Sequence, residues 1–159
     1  MRYLIPLLFS LPLFAQDTDD GKIQVEREWR GGRTDITTAE FHRVTDQDAW
    51  TKLWERHAGK KERAPEVNFE KFMVVACFLG PVTYDHVGFY AAKQTKEEIV
   101  FGLLVDEEDC CDFSAQPQYY MALIPRSKMR LTIISRVKQD LDVDPKKDKL
   151  LKEIPEIPE

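Results

Sequence analysis

Two adjacent cysteines lie inside a run of acids in the stretch DEEDCCDF, residues 106–113, and the third cysteine of the chain is Cys77. Thiols and carboxylates can bind metal ions, carry out redox chemistry or form a disulfide. The spacing disfavours a metal, because an EF-hand loop needs alternating acids around a central glycine and zinc sites use cysteines two to four residues apart. The surrounding negative charge also disfavours the thiolate that an activated cysteine needs.

The N-terminal residues indicate the compartment, and therefore the redox conditions, in which the cysteines are found. Residues 1–15, MRYLIPLLFSLPLFA, have the basic start, apolar run and small last residue of a secretory signal peptide. The run is shorter than the roughly 20 apolar residues that a membrane-spanning helix needs. We therefore expect cleavage after Ala15, a polar linker over 16–21, and a periplasmic or extracellular protein that meets the membrane only through the signal peptide.

Export to an oxidising compartment favours a disulfide. A bond from Cys77 to Cys110 or Cys111 would close a loop of about 33 residues and contribute roughly 3 to 4 kcal/mol in the chain-entropy model. A direct bond between the adjacent cysteines is a strained second alternative. A buried free thiol at Cys77 is the third.

Motifs for other chemistry are absent from the sequence. It contains no G-x-S-x-G, H-E-x-x-H or glycine-rich phosphate-binding pattern, so we predict no catalytic residue, no enzyme activity and no cofactor. The pair Asp85 and His86 could bind a cation or another ligand together with the acidic loop 106–109, and this stays open as an alternative. The net charge of −5 disfavours nucleic acid as a partner, because an acidic chain repels phosphate.

The hydrophobic pattern predicts several strands and one good helix. Period-two patterns or apolar runs mark strands at 22–29, 37–44, 72–79, 86–93, 98–105, 119–125 and 129–137. Residues 45–59 predict a helix that Thr45 caps and Gly59 closes. Its apolar stripe is Trp50, Leu53, Trp54 and His57, and the strand at 72–79 is apolar on both faces, as in the centre of a sheet.

The order of these elements predicts the fold class. Runs of strands rather than alternating strands and helices indicate an α+β fold, with a mainly antiparallel sheet of six to seven strands and one packed amphipathic helix. The domain is expected to span 22–138. Residues 139–159 would form a charged, proline-containing tail, in which 146–154 could form a short helix.

One segment resembles a known family. Between Trp50 and Arg126 the order W..LW, P.VNFEKFMVVACFLG, VGFY and YYMALIPRS is similar to the C-terminal domain of PrcB, a protease-complex subunit. The matching residues are Trp50, Leu53, Trp54, Val67, Phe69, Met73, Val74, Val75, Gly80, Gly88, Phe89, Pro125 and Arg126. Asn68 stands where the family has aspartate, and YDHVGFY replaces a glycine-glycine-tyrosine turn.

The resemblance implies a function without catalysis. Family members are small exported accessory domains, so we expect this chain to bind a protein partner such as an exported protease or an envelope component. A contact at the family's turn would correspond here to Tyr84, Asp85, His86, Gly88 and Phe89. A wall polysaccharide touched by Trp29 and Tyr84 is a further possibility.

Overall fold

The computed structural model describes residues 21–82, 86–106, 115–137 and 149–157, which hold eight strands and one helix. The strands are β1 Arg27–Gly31, β2 Ala39–Val44, β3 Phe72–Val82, β4 His86–Gln94, β5 Glu98–Asp106, β6 Gln116–Pro125, β7 Arg130–Val137 and β8 Lys149–Ile154; the helix α1 is Gln47–Ala58. The predicted signal peptide lies outside the described residues. Within them, no helix has the length and apolar character to cross a membrane.

The strands form two sheets of four. The first sheet has the order β1-β6-β3-β2 and is antiparallel throughout, whereas the second, β4-β5-β7-β8, contains one parallel pair, β5 with β7. The mainly antiparallel architecture with one packed helix is confirmed. The number of six to seven strands in one sheet is wrong, because the strands divide between two sheets and residues 149–154 add an eighth strand.

The three layers are α1, the first sheet and the second sheet, and each gap holds a core. Between the sheets lie buried residues that include Met73, Val75, Cys77, Phe101, Leu103, Tyr120, Ile124, Leu131 and Ile133. Between α1 and the first sheet lie Trp50, Leu53, Trp54, Val74, Ala76, Phe78 and Met121. Strand β3 is apolar on both faces because it contributes to both cores, which confirms the central position predicted for it.

The cap of α1 differs from the prediction by one residue. Asp46, not Thr45, is the N-cap, and its carboxylate accepts a hydrogen bond of 2.8 Å from the Ala49 amide. An aspartate at this position also favours the positive end of the helix dipole. The C-terminal cap Gly59 and the buried stripe of Trp50, Leu53, Trp54 and His57 are as predicted.

The first predicted strand divides into two parts. Residues 21–23 bond to the edge of β4, with the Ile23 amide donating to the Ala92 carbonyl at 2.8 Å, while β1 begins only at Arg27. Ile23 therefore packs between the sheets, whereas Trp29 packs beneath α1. The segment 21–26 closes one edge of the sandwich by passing from the second sheet to the first.

Two other boundaries also differ from the prediction. Strand β3 continues past Gly80 to Val82 through a β-bulge, where Gly80 adopts φ +70° and lies against the Thr37 carbonyl. Residues 149–154, predicted as part of a tail with a short helix, form β8 and pair with β7. Leu151 and Ile154 pack against the core between the sheets, so this segment belongs to the domain.

Candidate functional site

The second sheet has one face toward the first sheet and another directed away from it, which we call the outer face. Its central positions include Tyr90, Val100, Gly102, Leu104, Thr132, Ile134, Arg136 and Leu150. Side chains alternate along a strand, so the intervening Ile99, Phe101 and Leu103 are buried between the sheets.

An apolar row crosses the outer face. Gly102 pairs with Ile134, and Ile134 pairs with Leu150, across three neighbouring strands. Leu150 is 54% exposed, and the described residues contain no other exposed large hydrophobic side chain. Val100 and Leu104 flank the row and are half-buried. Exposed apolar surface of this kind on a sheet is typical of a contact site.

An aromatic ring lies at the β5 end of this row. Tyr90 follows Phe89 at a bulge in β4, and its ring covers Gly102 so closely that a Cβ there would stand 2.5 Å from it. The guanidinium carbon of Arg136 lies 4.9 Å from the centre of the ring. The ring therefore has a defined position, with Gly102 beneath it and a cation beside it.

The charged residues around the apolar row are balanced in sign. Register places Lys93, Arg130 and Arg136 on this face, together with Glu98, Asp106 and Glu153. The Thr132 hydroxyl donates a hydrogen bond to Glu98. Since the whole chain has a net charge of −5, these balanced charges make the outer face less acidic than the chain as a whole.

The ligand site predicted as an alternative, at Asp85, His86 and the acidic loop 106–109, lies only partly within the described residues. His86 and Asp106 are directly opposite each other in β4 and β5, while Val82 pairs with Gln116 in the first sheet. Tyr84, Asp85 and the acids 107–109 lie outside the described residues. Across the part of the chain that the structure describes, no three histidine, cysteine or acidic side chains are placed to hold a metal ion.

The other two predicted contact residues lie on opposite faces of β4. Gly88 pairs with Leu104 on the outer face. Phe89 points inward, where its ring lies 5.2 Å from Phe101 and 6.2 Å from Tyr120. Phe89 is therefore a core residue, and the two do not form one surface contact.

Cys77 does not form the predicted disulfide. It is a free thiol with no exposed surface, facing the core between the sheets, and burial raises its pKa. At a rise of about 3.3 Å per residue in a strand, Cys77 lies roughly 16 Å from Val82, the last residue of β3. Cys110 and Cys111 are outside the described residues. The third alternative, a buried free thiol, describes Cys77.

The histidine and tryptophans of α1 form an aromatic cluster beneath the helix. Trp50 and Trp54 pack with Trp29, and the His57 ring lies 4.2 Å from that of Tyr119. Burial lowers the pKa of His57, and its Nδ1 has no hydrogen-bond partner. A neutral imidazole among aromatic rings is a packing residue, as its place in the apolar stripe predicts. Trp29 is half-buried.

The residues that carry the family resemblance are mostly structural. Trp50 donates from Nε1 to the Pro65 carbonyl at 2.9 Å, and Arg126 donates to the carbonyls of Thr45 and Phe69. The Asn68 side-chain oxygen accepts from the Glu70 amide at 3.1 Å, in a turn that an aspartate oxygen could equally form. The departure at Asn68 thus preserves the local hydrogen bond.

Neither a protein family, a curated protein nor a solved structure matches the chain. The resemblance to the PrcB C-terminal domain therefore depends on the motif residues alone. Sequence reasoning did not find the outer face. The signal for it was the stretch EIVFGLLV, in which Val100 and Leu104 are apolar at positions where a solvent-facing strand would carry polar residues.

Proposed function

We propose that this protein is an exported, non-enzymatic accessory domain that binds a protein partner through the outer face of its second sheet. The observation that supports this most directly is the apolar row from Gly102 through Ile134 to Leu150, with the Tyr90 ring held across it. Aromatic side chains flanked by aliphatic ones are common at the centres of protein interfaces. By the motif resemblance, the partner is a component of an exported protease complex.

The charge of the outer face defines the partner further. A border with charges of both signs around an apolar row fits a partner whose contact surface is apolar at its centre and carries the complementary charges at its border. Charges at the border of an interface act mainly on the association rate. Raising the salt concentration should therefore slow association more than it speeds dissociation.

The test is site-specific photo-crosslinking in the native cell envelope. A photoreactive phenylalanine analogue at Val100 or Leu104 should crosslink to one protein, and the same analogue at exposed Lys52 or Glu55 on α1 should not. Ile134→Asp should abolish the crosslink from position 100, because it places an unpaired charge in the apolar row.

A control variant separates loss of binding from loss of folding. Lys152→Asp changes an exposed side chain of β8 and should leave the crosslink in place. A crosslink of equal strength from α1 and from β5, or one that survives Ile134→Asp in a folded protein, would contradict the proposal.

A second candidate function, cation binding at the end of β4 and β5, has one observation in its favour. The cross-strand pair His86 and Asp106 brings an imidazole position next to a carboxylate position. Titration of the full chain with zinc and with calcium should show saturable uptake that His86→Ala or Asp106→Asn weakens. Equal uptake by both variants would exclude this site.

A further inference from the structure

A cavity of about 330 Å³ lies between the two sheets, at the edge where β2 approaches β8. Its walls are mainly apolar and come from both sheets: Phe41 and Leu79 on one side, Val105 and Leu151 on the other. Pockets that bind small molecules usually have volumes of roughly 300 to 1,000 Å³ and apolar linings. The cavity is therefore large enough for a small or narrow ligand.

The packing of β2 explains why the sheets separate here. At the far end of this strand, Arg43 donates to the carbonyls of Lys128, Met129 and Pro155 and so joins β2 to the residues beside β7 and β8. At the near end, the corresponding side chain is Ala39, which is exposed and too short to reach the second sheet. As far as the described residues go, the edge is closed at one end and open at the other.

Two polar groups interrupt the apolar lining at the same place. Ser135 and Lys149 are opposite each other in the register of β7 and β8, and both line the cavity. Ser135 is 9% exposed, while Lys149 is exposed to solvent. Among the described residues, neither side chain has a hydrogen-bond or ion-pair partner.

This pair has the chemistry of an anion site. An ammonium group and a hydroxyl on directly opposed residues have Cβ atoms about 5 Å apart, close enough to donate to the two oxygens of one carboxylate. The apolar walls beyond Ser135 would then enclose an alkyl chain. A neutral apolar ligand would leave the Ser135 hydroxyl buried without a partner.

We propose that this cavity binds a single-chain carboxylate amphiphile, with the head group on Lys149 and Ser135 and the alkyl chain between the sheets. The cavity adjoins the outer face at Leu150, which lines it, but its other walls lie between the sheets and its occupation does not require the proposed protein partner. Its ligand class is that of medium-length fatty acids. Neither the sequence motifs nor the resemblance indicates such a site.

The probe is dodecanoate, titrated into the full chain by calorimetry below the concentration at which it forms micelles. We expect saturable binding to one site. Lys149→Gln should weaken binding about 10-fold through loss of the charge-assisted hydrogen bond, and Ala39→Trp should abolish it by filling the opening. Lys152→Gln, the matched loss of an exposed lysine in the same strand, should bind as the unmodified chain does.

Two further measurements complete the test. Dodecanol, which has the same chain without the charge, should bind weakly and equally to the unmodified chain and to Lys149→Gln. Methyl NMR signals of Leu79, Val105 and Leu151 should shift on addition of dodecanoate. Absence of saturable binding, unchanged affinity in a folded Ala39→Trp variant, or shifts confined to Val100, Leu104 and Ile134 would each overturn the proposal.

Discussion

Gly102 and Tyr90 show how one missing side chain shapes a surface. A glycine inside a strand weakens it, because it adds backbone entropy to the unfolded chain and packs no side chain. Here the Tyr90 ring occupies the space above Gly102, and Arg136 packs beside the ring. The apolar row on the outer face is continuous because the ring covers this gap.

Gly102→Ala is expected to displace the Tyr90 ring and its contact with Arg136. The substitution should lower the free energy of unfolding by about 1 kcal/mol, which is the size of one lost ring contact. In a Tyr90→Ala background the same substitution should be neutral or stabilising, because alanine is better than glycine in a free strand position. Urea denaturation of the unmodified chain, the two single variants and the double variant gives the coupling energy between the two residues. Additive effects on the free energy of unfolding would rule out the contact.

His57 is expected to make stability depend on pH. Its pKa in the folded protein is lowered from 6.5, chiefly by burial, although the Glu62 and Asp35 carboxylates act in the opposite direction. Below pH 6.5 the unfolded chain takes up a proton that the folded chain does not, so the free energy of unfolding falls as the pH falls.

The unmodified chain is compared with His57→Phe, which keeps an aromatic ring at this position and removes the group that titrates. Urea denaturation between pH 8 and pH 5 should show a smaller loss of stability in this variant than in the unmodified chain. Identical pH profiles for the two proteins would show that His57 does not titrate between these limits.

At the scale of single elements, the cap of α1 provides a clear test. Asp46→Ala should lower the free energy of unfolding by about 1 kcal/mol, because it removes the acceptor for the Ala49 amide. Thr45→Ala should change it by only a few tenths, since Thr45 bonds to Arg126 through its backbone carbonyl. Thermal or urea denaturation of both variants decides which residue caps the helix.

The elements differ in how far the sequence predicted them. The stripe on α1 and the two apolar faces of β3 are local patterns, and both were predicted correctly. The pairing of β5 with β7 joins segments that have β6 between them, and no local pattern encodes such a parallel register. Strand β8 was missed because KLLKEI is an edge strand with charged residues, a pattern that also fits a short amphipathic helix.

The candidate surface was harder to predict than the elements. Tyr90 reaches the outer face only through the bulge in β4, which changes the alternation of side chains after Phe89. Residues such as Ile134 and Leu150 meet through tertiary pairing rather than through spacing in the sequence. The expected export and the spacing of the cysteines in the sequence predicted a disulfide at Cys77. In the fold, the Cys77 side chain points inward from β3 and is buried between the two sheets.

At the scale of the whole molecule, the two long edges of the sandwich are closed in different ways. Backbone bonds from residues 21–26 close the edge beside β4, whereas a single side chain, Arg43, joins β2 to the segments around β7 and β8. Burial lowers the pKa of the Arg43 guanidinium. The buried Nε of Arg43 has no hydrogen-bond partner. Arg43 therefore supplies the side-chain hydrogen bonds at this edge, while Leu151 and Ile154 attach β8 through the core between the sheets.

Arg43→Met should lower the free energy of unfolding by about 2 kcal/mol, because it removes charge-assisted hydrogen bonds to three backbone carbonyls. Amide hydrogen exchange should accelerate in β8 more than in β3. Arg63 is exposed and has only a long contact to Glu66. Arg63→Met should therefore change neither the free energy of unfolding nor the rates of amide hydrogen exchange. Uniform acceleration across all strands would argue against a local role for Arg43.

The burial of Cys77 in the central strand makes it a chemical reporter of cooperative opening. The chain has three cysteines, so a variant with serine at 110 and 111 carries a single thiol. A small alkylating reagent can reach that thiol only when the two sheets separate. At low reagent concentration under native conditions, its labelling rate relative to that of an unprotected thiol gives the equilibrium constant for this opening. One residue thus gives the free energy of unfolding without denaturant, and repeating the measurement with dodecanoate would report the ligand's linkage to folding.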